Sequence, residues 1–66
     1  MIKAQMVVMS HLSDAQEELN MGLKVSVDSH INFAKYVILQ TNGDLNTMID
    51  ADMLWNLFMK TKYYKG

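Results

Sequence analysis

The 66-residue chain contains no cysteine, no proline and no arginine, and only three glycines. Without cysteine there is no disulfide framework and no thiolate zinc site. Without proline nothing forces the helical periodicity to break. Arginine supplies the planar fork that reads guanine and phosphate, so six lysines against seven acids lack the footprint of a DNA binder. The longest apolar runs, Met6–Met9 and Tyr36–Leu39, fall far short of the ~20 residues needed to span a bilayer. The N-terminal stretch has no signal-like apolar core, so the expectation is a cytoplasmic protein with no membrane association.

What is present is hydrophobic. Half the residues are apolar and seven are methionine. A chain this short buries only about 60% of its unfolded surface and is marginal on its own. With disulfides excluded, the expected staple is a second copy of the chain or a larger protein partner. Charge and polarity are too low for a disordered tail.

Apolar residues recur at helical spacing, which predicts an all-α fold: one domain over residues 1–66, with three main helices and a bend or short extra turn before the third. Ala4, Val8, Leu12, Ala15 and Leu19 step by four, four, three and four. They hold one face without a phase slip, so a single helix is expected over Ile2–Met21. Ser13 with Gln16 imitates a capping box, but a new start there would not need to keep that phase. Gly22 suits a left-handed C-terminal cap. A connection over 22–26 then leads to a helix capped by Ser26 or Asp28. Val27, Ile31, Ala34 and Ile38 form one side of its buried face; His30, Phe33 and Val37 form the other. Asn42-Gly43 ends it. Leu45, Met48 and Ile49 are out of phase with Ala51, Leu54, Trp55, Leu57 and Phe58. Hence Leu45–Ile49 is read as a short turn or helix, and Ala51–Tyr63 as the third helix. Asp50 would be its N-cap and Asp52 would lie in its first turn.

Several residues could carry function. Ile2, Met6, Val7, Val8 and Met9 make the first turns apolar nearly all round, and such a helix must be covered on every side. Methionine adapts to partner surfaces. The expected interface is therefore Met6, Val7 and Met9, with Trp55 and Met59 as a second patch. Ala15 and Ala34 would let two helices approach closely, either across a dimer seam or inside the monomer. His11, Asp14 and Glu18 lie within about 60° of one another and could line up as metal ligands. One helix seldom completes such a site and no second cluster supplies the rest, so a solvated face opposite the apolar stripe is the plainer expectation and no metal or cofactor is predicted. His30, near a core, is expected to be a satisfied structural histidine, with a pH-sensitive or ligand-binding role as the sharper reading.

Lys60, Lys62, Tyr63, Tyr64 and Lys65 interleave charge with aromatic rings, the pattern that holds single-stranded nucleic acid. As a functional alternative this is weak, because three lysines are offset by acids elsewhere. Asn42-Gly43-Asp44 between helices could suggest a helix-turn-helix, but Asp52, Asn56 and Lys60 would make a poor reading face. No phosphate loop or catalytic motif occurs, so an enzyme is not expected. The leading expectation is a non-enzymatic interaction or assembly module acting through an apolar, Met-rich helical surface.

Overall fold

A computed structural model describes residues 1–64. Three helices are present: α1 (Ala4–Asn20), α2 (Lys24–Gln40) and α3 (Ala51–Phe58). Helix α1 runs unbroken through Ser13, as its preserved phase requires. It ends in a Schellman motif: Gly22 adopts φ +79, its N–H donates to Leu19 O, and Leu23 N–H donates to Glu18 O. Because Leu23 closes that motif, α2 starts at Lys24, earlier than the Ser26 or Asp28 cap expected from sequence, and no side chain caps it. α2 ends the same way. Asn42 takes φ +53 and donates to Leu39 O, and Gly43 donates to Ile38 O.

The segment before α3 departs from expectation. Met48–Ile49 is a strand (β2), not a helical turn, and pairs antiparallel with Ile2–Lys3 (β1). Ile2 faces Ile49 and Lys3 faces Met48. The first helix therefore begins at Ala4 rather than Ile2. Its first N–H groups, which no helix can satisfy internally, donate to the returning loop: Ala4 N–H to Thr47 O at 2.8 Å and Gln5 N–H to Leu45 O at 2.9 Å. The phase break noted in the sequence is thus a change from strand to helix. Asp50 caps α3 as expected, accepting from Met53 N–H at 3.1 Å, and Asp52 lies in the first turn. The helix is shorter than expected and stops at Phe58. Thr61 Oγ1 donates to Phe58 O at 2.7 Å, closing the end.

α1 and α2 pack as an antiparallel hairpin. The core joins Ala4, Val7 and Val8 of α1, Phe33, Ala34 and Val37 of α2, Ile49 of β2, and Leu54 and Phe58 of α3. Phe33, Val37 and Phe58 are fully buried. The two halves of the α2 face do different jobs. Phe33 meets both His11 of α1 and Trp55 and Phe58 of α3, whereas Ile38 stays partly exposed. Ala15 and Ala34 are both buried within one chain, 5% and 3% exposed.

Replacing Asp50 by Ala removes the only side-chain cap at a helix start among the described residues. The expected loss is about 1 kcal/mol, seen as a melting temperature lower by roughly 4–8 °C; an unchanged thermal transition would show the cap contributes nothing.

Candidate functional site

The buried face of α1 is centred on Ala4, Val8 and Ala15, and His11 flanks it instead of pointing to solvent. The expected apolar stripe leaned too far toward Leu12 and Leu19, which are 46% and 55% exposed. The true face widens the other way, toward Val7 and His11, because α3 covers that side.

There His11 meets His30 of α2, with Nδ1 of one ring 2.8 Å from Nδ1 of the other. The contact can hold one proton, donated by one ring and accepted by the other. Nε2 of His30 lies 2.6 Å from Oε2 of Glu18, a close charge contact at a buried oxygen that has no hydrogen-bond partner. That carboxylate favours a proton on Nε2 of His30 and leaves Nδ1 to accept. Asp14, one turn along from His11, brings its carboxylate to the same place: one ligand atom each from His11, Asp14 and His30 lies within 4.8 Å of the others. Glu18, grouped with His11 and Asp14 in the sequence reading, stands behind His30 instead. His30 was the missing member, and the sequence signalled it only through its place beside Phe33 on the buried face of α2.

Aromatic rings wall the cluster from the core side. Trp55 of α3 stacks on His11, with ring centres 5.6 Å apart and planes at 16°. Phe33 meets the same imidazole edge-on at 4.6 Å. This burial lowers the His11 pKa below its ordinary value, and His30 adds to the effect; Asp14 and then Glu18 oppose it. On its outer side the cluster borders a groove lined by Asp14, Glu17, Glu18, Met21, Leu23 and His30.

The other expected site residues are dispersed. Met6 and Met9 are exposed, while Val7 lies in the chain's own core and is not free to contact a partner. Trp55 belongs to the aromatic cluster and Met59 lies at its exposed margin. In the basic tail, the Tyr64 ring packs edge-on against Trp55 and Phe58, so it is not a free stacking platform. Asn32 donates to Tyr63 O at 3.0 Å, Lys62 sits 5.7 Å from the Tyr63 ring centre, and Lys60 is exposed. Lys65 lies outside the described residues. No described helix is long and apolar enough to cross a membrane. Comparison with protein-family models, curated proteins and solved structures finds no match.

A second apolar feature lies on the opposite side of the hairpin. Leu12, Ala15, Gln16 and Leu19 of α1 and Val27 and Ile31 of α2 line a shallow groove there. α3 packs on the Phe33 side and does not reach it.

The lowered pKa of His11 fixes the sign of a pH effect. Its neutral form is favoured in the folded chain, so the unfolded chain binds more protons as pH falls through about 6.5. In chelator-treated protein, folding stability is therefore highest above neutral pH. It falls from about pH 7 toward pH 5, and the fall is shallower in His11→Gln. A flat urea-midpoint profile across that window, identical in both proteins, would remove this role for His11.

Proposed function

We propose that the protein is a small, non-enzymatic interaction module that self-associates through the uncovered side of its α1–α2 hairpin. The observation that carries this reading is the groove lined by Leu12, Ala15, Leu19, Val27 and Ile31. The chain's total accessible surface, 4529 Å², is close to the roughly 4,300 Å² expected of a compact chain of this mass. Leu12 and Leu19, both exposed, border the open side, and exposed Met9 lies about 60° round α1 from Leu12.

A second copy is the occupant favoured by the groove's own chemistry. The small Ala15 floor lets a helix approach closely, and Leu12 and Leu19, seven residues apart on α1, repeat at the spacing of a helix-packing seam. Two such faces related by a two-fold axis would each fill the other's groove, since a two-fold interface uses the same patch twice. Met9 would form its adaptable margin. A larger protein partner could then be engaged by the dimer through its remaining exposed methionines.

Sedimentation at micromolar to millimolar concentration is expected to show a monomer–dimer equilibrium, and melting temperature is expected to rise with concentration. Leu12→Glu/Leu19→Glu should be monomeric at every concentration while keeping its helical circular dichroism, since both side chains are already about half exposed. A wild-type chain that stays monomeric across that range, with a concentration-independent melting point, would exclude self-association.

A further inference from the structure

We infer that His11, Asp14 and His30 form a site for a single zinc-like divalent transition-metal ion, assembled by the α1–α2 hairpin. This does not depend on self-association, because all three residues belong to one chain and lie on the opposite side of the hairpin from the groove.

The donors come from two helices joined by the Schellman turn at Gly22. Two imidazoles and a carboxylate suit zinc and neighbouring divalent transition metals, with the fourth position left to water. The geometry is close to what such an ion needs. Zinc–nitrogen bonds of about 2.0–2.1 Å at a tetrahedral angle put two ligand nitrogens about 3.3 Å apart. The His Nδ1 atoms stand at 2.8 Å, so a small opening of the rings admits the ion between them. Asp14 is exposed and free to swing inward over the remaining distance. The proton that links the two Nδ1 atoms in the metal-free chain moves to Nε2 of His11, and each Nδ1 then offers its lone pair.

Two surrounding features match a metal centre better than a structural histidine pair. Glu18 approaches Nε2 of His30, the nitrogen away from the ion, which is how a carboxylate orients a metal-bound imidazole. Its Oε2 is buried with no other partner, a costly placement for a carboxylate that serves only the fold. The groove beside Asp14 and His30 supplies an entry path from solvent, and Glu17 on its wall draws cations toward it. Trp55 and Phe33 close the inner side.

The test uses the tag-free full chain, stripped of metal, with zinc titrated in by calorimetry and cobalt(II) as a spectroscopic substitute. Expected are one zinc per chain, tetrahedral ligand-field bands with cobalt, and a melting temperature raised on the order of 10 °C when free zinc is a hundredfold above Kd. Asp14→Asn and His30→Gln should each weaken binding at least tenfold. Glu18→Gln should weaken it about 10–100-fold while keeping one zinc per chain and the cobalt bands. Asp14 is exposed, so its variant decides the matter even if the His30 variant folds poorly. Absence of saturable uptake by the folded wild type up to about 1 mM zinc would overturn the site. So would undiminished affinity in the folded Asp14→Asn variant, or one zinc per two chains.

Discussion

Phe33 is where the three helices meet. It is fully buried and its ring touches those of His11 on α1 and of Trp55 and Phe58 on α3. The hairpin alone presents a two-helix face that cannot be buried, and the third helix is only eight residues long. An isolated helix that short is unstable in water, so α3 exists because its aromatic face finds Phe33. Its capping by Asp50 and its tether through β2 to the start of α1 reduce what that packing must supply. The central ring therefore orders the tail as well: Tyr64 closes over Trp55 and Phe58, and Asn32, one residue before Phe33, holds the Tyr63 carbonyl.

A single short helix can cover only one side of the hairpin, and this asymmetry creates both candidate sites. On the covered side, Trp55 and Phe33 lie over His11 and make its surroundings partly apolar. The two part-buried histidines then meet the part-buried Glu18 on this side, with Asp14 at the exposed edge. On the uncovered side, the Leu12–Leu19 edge of α1 stays open beside Ile31 of α2. The polar cluster and the apolar groove are the two faces of one hairpin.

Much of the fold was legible because it rests on local signals. Unbroken phase from Ala4 to Leu19 gave one helix, Gly22 and Asn42-Gly43 marked the ends, and Asp50 marked the start of α3. The two-residue strands were not legible, since Ile2 and Ile49 are 47 positions apart and no short-range pattern encodes their pairing. The position of His11 was misread for a related reason. Leu12 and Leu19 pulled the expected buried face toward themselves. The face that folding selects is decided by where α3 docks, and that depends on Phe33, Trp55 and Phe58 together. Once His11 is placed on the covered side, His30 becomes its neighbour across the hairpin, which helix-by-helix reading could not show.

The choice of residues at that junction also bears on what it is for. An aliphatic side chain in place of His11 would pack against Phe33 and Trp55 without a proton to share, and one in place of His30 would release Glu18 to solvent. The chain instead holds an imidazole pair that accepts a single proton between its Nδ1 atoms and a buried carboxylate oxygen that meets no other donor. Each is an expense in a 66-residue domain with little stability to spare. Local rules for a stable core are broken together at this end of the hairpin, on the rim of an open groove: the orphaned oxygen of Glu18 is joined by Ser29 Oγ, buried without a hydrogen-bond partner one residue before His30. Such concentration is the pattern of a site held for its chemistry.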